Sequence, residues 1–470
     1  MSNTSFDFVV IGGGSGGYAA ARTACDLGLK TAVIDSADEL GGLCILRGCM
    51  PSKSLIESAN RARAIRNAKQ FGLSVDNLSI STEAIVDRKE ELISDFASYR
   101  KEQLTDGRFA MKRGRASFVD QQTLQVSLKD GSTETFTFSS ACIATGSVVH
   151  TVPVPGLEET GYWTSDEILE AKELPESIIV LGGGAIALEM ACYLEGIGKH
   201  VTVIQRSNQL LSGSDRDVAD SLQAAMESRP NLDIFVGTSL TKVNKTPEGG
   251  KQVHFLHNGE SKSIVAAEIL QALGRKPNSD GLNLESCGIL RNDSGLIQCN
   301  EYQQTSCPHI FAAGDVCGPY EVVHTAIEQG EKSAENAAVL LGRKQGDLRK
   351  MDYRLKLLGI FTDPQVAMVG LTEHEAQEMG IEFNSASYPF DDHGKSMIMG
   401  ELHGLVKLLA DSTTGKLLGG AVVGPEAVEL IHEIVVAMNF GATASEFLEI
   451  PHYHPTLSEI WTYPAEDLIL

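Results

Sequence analysis

Short apolar runs broken by glycine clusters and helical stretches set the rhythm of this chain. Phe8-Val9-Val10-Ile11 is a β-branched, apolar run of strand type, and Gly12-Gly13-Gly14-Ser15-Gly16-Gly17 follows it at once. A helical pattern over 18–27 comes next, then a second strand, Thr31-Ala32-Val33-Ile34, that ends in Asp35. The same order returns further on. Ile178-Ile179-Val180-Leu181 is the strand, Gly182-Gly183-Gly184-Ala185-Ile186-Ala187 the loop, and 188–197 the helix. Its return strand, Val201-Thr202-Val203-Ile204, ends in Gln205-Arg206. From about residue 349 the glycine loops stop. Strands over 405–409 and 418–423 lead there into a helical run over 426–438, the pattern of an α+β section.

Each part of the first repeat has a physical task. Gly12 permits a tight turn, Gly14 lets backbone approach a pyrophosphate, and Gly17 lets helix and strand pack closely. The helix N-terminus, with Ser15 and Gly16, offers unpaired N–H groups and positive dipole to phosphates. Asp35 stands where a carboxylate accepts both hydrogen bonds of a ribose diol. In the second repeat Gly182, Gly184, Ala185 and Ile186 take the corresponding places, and Ala187 replaces the third glycine. Two such repeats imply two bound dinucleotides, or one beside a vestigial fold; two working sites are expected. The expected fold is therefore α/β, with two Rossmann-like dinucleotide-binding domains and a C-terminal α+β domain. Residues 1–150 with 272–348 form the first, 151–271 the inserted second, and 349–470 the last.

Composition changes this picture little. Acidic residues outnumber basic ones, 62 to 39, for a net charge of −23, which argues against a nucleic-acid partner. No apolar stretch is long enough for a membrane helix. The stretch Met1 to Phe8 lacks the basic and apolar parts of a signal peptide, so a cytoplasmic protein, complete at its start, is expected. Nine cysteines over so long a chain are no secreted disulfide scaffold. One pair stands apart, in Gly41-Gly42-Leu43-Cys44-Ile45-Leu46-Arg47-Gly48-Cys49-Met50-Pro51-Ser52-Lys53. In a reducing compartment such a pair is redox-active, metal-binding or accidental.

The cysteine motif directly after a nucleotide repeat resembles the class I pyridine nucleotide-disulfide oxidoreductase family of dihydrolipoamide dehydrogenase, glutathione reductase and mercuric reductase. The likeness runs the whole chain. Ala144-Thr145-Gly146-Ser147 is similar to the loop that ends the first flavin section, and Ala272-Leu273-Gly274-Arg275-Lys276-Pro277-Asn278 to the crossover back into it. Ile310-Phe311-Ala312-Ala313-Gly314-Asp315 resembles the second flavin motif, whose aspartate, Asp315 here, holds the ribityl chain. His454-Pro455-Thr456-Leu457-Ser458-Glu459 resembles the His/Glu dyad that completes a partner subunit's site. The resemblance implies FAD, a second nucleotide (NADP or NAD), a homodimer with a C-terminal dimerisation domain, and a small-molecule or lipoyl disulfide or dithiol as substrate. It implies no metal site. Gly42 and Lys53 join the flavin-binding set on the same grounds.

By this likeness Cys49, ahead of the Pro51-Ser52-Lys53 helix start, is the flavin-facing, charge-transfer sulfur, where the dipole favours a thiolate. Cys44, in the loop before it, is the interchange thiol. His454 is the base toward the substrate thiol, with Glu459 fixing its tautomer. Lys53 and Glu189 are expected to pair beside the flavin. The other seven cysteines read as structural.

The segments 323–330, from 423 through 432, and 452–459 are most like dihydrolipoamide dehydrogenase, and the C-terminus lacks the extra cysteine pair of mercuric and thioredoxin reductases. Three departures keep an NADPH-driven reductase of another disulfide or electrophile open. Gln205-Arg206 replaces the acid of an NAD site and offers a cation to a 2′-phosphate. Leu46 and Arg47 replace a polar residue and add a charge between the cysteines. Ala185 leaves the nicotinamide pocket without a bulky lid. A flavin oxidase or flavin-binding subunit, with thiols serving no dithiol substrate, is the reading from another class; intact Cys44, Cys49, His454 and Glu459 oppose it.

Overall fold

The computed structural model describes residues 3–469. Met1 and Ser2, at the head of the stretch read for a leader, and Leu470, in the cysteine-free C-terminal segment, lie outside the described residues. The chain divides into two compact units. One comprises Met1–Pro51, Asp87–His150 and Gly274–Asp352, the other Ser52–Val86, Thr151–Leu273 and Tyr353–Leu470.

In the first unit the strand Asn3–Ile11 pairs in parallel with Thr31–Asp35 on one side and Thr133–Ile143 on the other. Ala110–Asp120 and Ile310–Ala312 extend the parallel sheet at its two edges. The far halves of Ala110–Asp120 and Thr133–Ile143 turn to antiparallel pairing with Thr123–Leu128. Side chains alternate across a strand. Val9 and Ile11 accordingly enter one core with Phe118, Phe136 and Ile310, while Phe8 and Val10 enter another with Ala20, Ala24 and Phe311. Burial on both faces explains the unbroken apolar runs.

The first strand begins at Asn3 rather than Phe8, because its ladder with residues 135–138 continues through polar Thr4 and Ser5. The helix that follows begins at Ser15 rather than Tyr18 and ends at Asp26. Glycine is a poor helix former, yet Gly16 and Gly17 are helical for a steric reason. A Cβ on Gly17 would lie 1.8 Å from Gly12 O, and one on Gly16 would lie 2.8 Å from Ala326 O. The second of these contacts seats the helix on Val323–Leu340.

In the second unit a parallel sheet runs in the order Glu268–Gln271, Ser177–Leu181, His200–Ile204, Leu232–Phe235. Three antiparallel strands, Thr238–Lys245, Lys251–His257 and Glu260–Ala266, form a separate ribbon. A five-stranded antiparallel sheet has the order Leu357–Ile360, Gln365–Gly370, Leu417–Gly424, Leu405–Asp411, Phe383–Pro389. The helix Ala427–Asn439 buries Ala427, Leu430, Ile431, Ile434, Ala437 and Met438, a stripe of helical spacing. Glu426 lies outside it as the N-cap, with φ +52. The whole is the mixed α/β architecture expected, with parallel sheets at both glycine loops and an antiparallel sheet after them.

The two glycine loops differ in what a methyl group would meet. Gly17→Ala drives a Cβ into backbone, so the purified variant is expected to lose bound flavin and the wild-type unfolding midpoint. At Gly184 no protein atom lies within 4 Å of the added Cβ, so Gly184→Ala is expected to keep wild-type flavin absorbance and melting. Full flavin content in Gly17→Ala is the result against this packing account.

Candidate functional site

The glycine loop of the first unit, expected to meet phosphate, is Gly12–Gly14, ending in Gly14 as N-cap of the helix Ser15–Asp26. Gly12 donates its N–H to Ile34 O at 2.8 Å and holds φ +104, with Ala144 O 2.3 Å from where a Cβ would sit. Asp35, at the end of its strand, accepts from Gly13 N at 2.7 Å and from Ala37 N at 2.8 Å. Each oxygen keeps a lone pair for a ribose hydroxyl.

Thr145 and Gly146 follow the strand Thr133–Ile143. Thr145 Oγ1 is buried with no hydrogen-bond partner among the described residues, which fits a bound polar ligand on that loop. Asp315 accepts from Ser147 Oγ at 2.7 Å. Arg275 Nε donates to that same oxygen at 2.8 Å, and Nη2 donates to Ser147 O. Gly314 N donates to Gln329 Oε1 at 2.7 Å, and Gln329 Nε2 donates to Gly318 O. Gln329, fully buried in the helix Val323–Leu340, thus pins the loop that carries Asp315. Its only sequence signal was a large polar residue on a helix face otherwise made mostly of small residues.

The cysteine segment rests on the phosphate loop. Gly42 has φ +75, and a Cβ there would lie 2.6 Å from Gly14 Cα. Cys44 sits in the short helix Gly42–Leu46 rather than in a loop, and Cys49 is the first residue of the helix Cys49–Arg66 rather than ahead of it. The hydrogen-bonded turns begin before Pro51 because proline is tolerated in a helix's first turn. Cys49 therefore lies within the first turn, where N–H groups and dipole favour a thiolate. Gly48 joins the two helices; a Cβ on it would stand 3.2 Å from Cys44 Cα. Leu46 packs over Gly41, 2.8 Å from a Cβ built there. The carboxyl of Asp38 is held below its usual range by Lys129 first, with Arg113 and Arg47 adding.

Sequence reasoning missed Arg100, whose guanidinium lies 4.3 Å over the Tyr18 ring. Burial pushes its pKa down, partly offset by Tyr18 and by Cys44, so a thiolate at Cys44 has a half-buried cation near it.

In the second unit Lys53 Nζ meets Glu189 Oε1 and Oε2 at 2.8 and 2.7 Å. Glu189 is 5% exposed and also accepts from Phe361 N at 2.9 Å. Lys53 stands 4.8 Å over the Phe361 ring. Gly182, with φ +119, donates to Ile204 O at 3.0 Å, and Gly184 caps the helix Ala185–Gly196. Ala185 and Ile186 open that helix, and Ile186 is 38% exposed. Gln205 lies over the loop, 2.8 Å from a Cβ built on Gly183. Arg206 is exposed, and no carboxylate among the described residues pairs with it. His454 Nδ1 lies 2.9 Å from Glu459 Oε2; the histidine side chain is 80% exposed and the carboxylate 12%. Gly274 closes the return into the first unit with φ +120.

The family model for pyridine nucleotide-disulphide oxidoreductases matches residues 6–330, and that for their dimerisation domain matches 358–465. The chain belongs to this family. Dihydrolipoyl dehydrogenase of Mycobacterium tuberculosis strain H37Rv is 35% identical over 97% of this chain and 96% of its own length. That of Thermus scotoductus is 34% identical over 99% and 97%. Among solved structures, the Cu(II) complex of the HOCl-induced flavoprotein disulfide reductase RclA from Escherichia coli is 25% identical. It covers 100% of both chains with a TM-score of 0.86. As a member of the pyridine nucleotide-disulphide oxidoreductases, the chain is an FAD-dependent NAD(P)H:disulfide oxidoreductase of dihydrolipoyl dehydrogenase-like kind, with a dimerisation domain.

The Lys53–Glu189 pair generates a test. Removing one partner strands a buried charge, at a cost of about 3–5 kcal/mol. Lys53→Met is therefore expected to lower the unfolding midpoint in denaturant markedly, and Lys53→Met/Glu189→Gln to recover much of the loss. Equal midpoints in wild type and Lys53→Met count against a structural share for this pair.

Proposed function

We propose that the chain moves electrons between NAD(P)H and a lipoyl-type dithiol or disulfide through Cys44 and Cys49. Residues 1–150 with 272–348 are proposed to hold FAD, and 151–271 the nicotinamide nucleotide. The observation that carries the proposal is the seating of Gly42 on Gly14, which ties the cysteine segment to the phosphate loop. FAD, when bound, supplies the two-electron relay between nicotinamide and thiols. Gly12, Gly14, Ser15, Gly16, Gly17, Gly42, Thr145 and Gly146 would cradle it, with Asp35 and Asp315 taking its ribose and ribityl hydroxyls. Lys53, paired with Glu189, holds positive charge for the reduced state.

Cys49, in the helix's first turn, is kept as thiolate, and Cys44 exchanges with substrate. His454 Nε2 takes the proton of the substrate thiol, while Glu459 holds Nδ1–H and so fixes the tautomer. With 80% of its side chain exposed, His454 is available to a partner subunit, as a homodimer with shared sites requires. The lipoyl substrate rests on likeness to relatives named dihydrolipoyl dehydrogenase. No helix among the described residues is long and apolar enough to cross a membrane. A cytoplasmic setting is part of the proposal, since exchanging thiols need a reducing compartment.

Arg206 favours a second reading in one respect. Exposed and without a carboxylate partner among the described residues, it offers two parallel hydrogen bonds to a 2′-phosphate where an NAD site needs an acid. NADPH is therefore the proposed nucleotide, with a lipoyl or another disulfide as acceptor.

Three variants test these assignments. Cys44→Ser is expected to keep flavin and lose disulfide turnover, and His454→Ala to slow only the thiol half-reaction, by roughly two to four orders of magnitude. Substantial turnover in Cys44→Ser contradicts its role. Arg206→Ala is expected to raise KM for NADPH on the order of ten-fold, leaving KM for NADH nearly unchanged. A wild type far faster with NADH, and an Arg206→Ala silent for both nucleotides, overturns the NADPH reading.

A further inference from the structure

Beneath the exposed dyad lies a second imidazole. His393 is 0% exposed, between the strand Phe383–Pro389 and the short helix Gly394–Met399. Its Nδ1 lies 2.8 Å from the hydroxyl of Ser396, itself fully buried. Its Nε2 has no hydrogen-bond partner of ordinary geometry among the described residues. The group it faces is Glu459 Oε1, at 3.4 Å. A buried imidazole nitrogen left in this way calls for an explanation, and hydrogen bonds of a reactive site are often long until substrate binds.

The partners dictate the tautomer. An ionised carboxylate only accepts, so the nitrogen facing Glu459 must carry the hydrogen. Nδ1 is then a lone pair, and the Ser396 hydroxyl donates to it. Burial pushes the His393 pKa down, against the pull of Glu459, and His454 lowers it further. The remaining titratable groups around the ring are few. Tyr463 lies edge-on at 6.3 Å and stacks on Tyr388, whose hydroxyl donates to Asp392. Phe390 closes another side at 6.4 Å.

We propose that His393 is a positioning residue for the thiol half-reaction. As a neutral Nε2–H imidazole it holds Glu459 Oε1 from below, so that Oε2 stays on His454 Nδ1 and His454 Nε2 faces the substrate thiol. Ser396 locks the tautomer, and Ser396, His393, Glu459 and His454 act as one chain. In acid, a second proton on His393 sets a cation against Glu459 and draws the carboxylate from His454. The inference rests on the reading of His454 as base.

Rapid-mixing measurement of both half-reactions across the neutral pH range tests it, on flavin-loaded His393→Leu, His393→Gln, Ser396→Ala and His454→Ala. His393→Leu is expected to slow thiol exchange roughly 10–100-fold, the span for losing a group that orients a reactive histidine. Its acid limb should move to higher pH, because Glu459 without a buried donor holds the His454 proton more strongly. Flavin reduction by NAD(P)H should stay at the wild-type rate. The amide of His393→Gln can still donate and should restore most of the rate, while Ser396→Ala should slow the same half-reaction. Wild-type exchange and profile in both His393→Leu and Ser396→Ala, with His454→Ala slow, overturns this inference alone. Wild-type exchange in His454→Ala overturns the underlying reading. Equal slowing of both half-reactions shows a merely structural His393. Should His393→Leu fail to fold, Ser396→Ala, which deletes one oxygen, decides by the same criteria.

Discussion

The first unit depends on backbone meeting backbone with no side chain between. Gly42 approaches Gly14, Gly17 approaches Gly12, and Gly12 approaches Ala144, each at a distance that a Cβ would violate. Such contacts leave almost no slack, because interiors pack at crystal-like density and resist continuous deformation. The phosphate loop therefore fixes the short helix Gly42–Leu46, and with it Cys44. Gly48 then brings the chain back past Cys44 before Cys49 opens its helix. Thiol placement is thus inherited from the glycine loop. For the proposed role of the two thiols, placement of this kind would need no reorganisation at the moment of reaction, which is where electrostatic catalysis draws its strength.

The second unit places its charges by another means. Glu189 is nearly buried, yet it has Lys53 on both oxygens and Phe361 N on one of them. A buried carboxylate survives when its lone pairs are taken up in this way. Residues 136 apart in sequence meet because each sits at a fixed height on a packed helix. Lys53 lies near the start of Cys49–Arg66, and Glu189 one turn into Ala185–Gly196.

Much of this was legible in the sequence where a local rule governs. Alternation sends Phe8 and Val9 to opposite cores, and a glycine after an apolar strand marks the phosphate turn. The Lys53–Glu189 and His454–Glu459 pairs were legible only through resemblance, since no periodicity joins Lys53 to Glu189. Three features were hidden for physical reasons. Gly16 and Gly17 are helical against their propensity, because tertiary contact outweighs it. Cys44 belongs to a helix of five residues, too short to show a period. Gln329 and Arg100 act through partners distant in sequence, Gly314 in one case and Tyr18 with Cys44 in the other.

The C-terminal dyad combines opposite exposures. His454 is 80% open on its own chain, while the Glu459 that orients it is 12% open. A base fully in water would lose orientation, and one fully buried could not reach a substrate. Anchoring the ring through a nearly buried carboxylate separates the two demands, because only Nε2 needs to be accessible. The remaining exposure has meaning in a chain whose last section matches a dimerisation domain over 358–465. Covering His454 with a second copy would remove water from around the imidazole and strengthen its interaction with Glu459, since a lower local dielectric raises every such contact. On the proposed reading of His454 as base, the contact that orients its ring would therefore tighten on assembly, without any moving part.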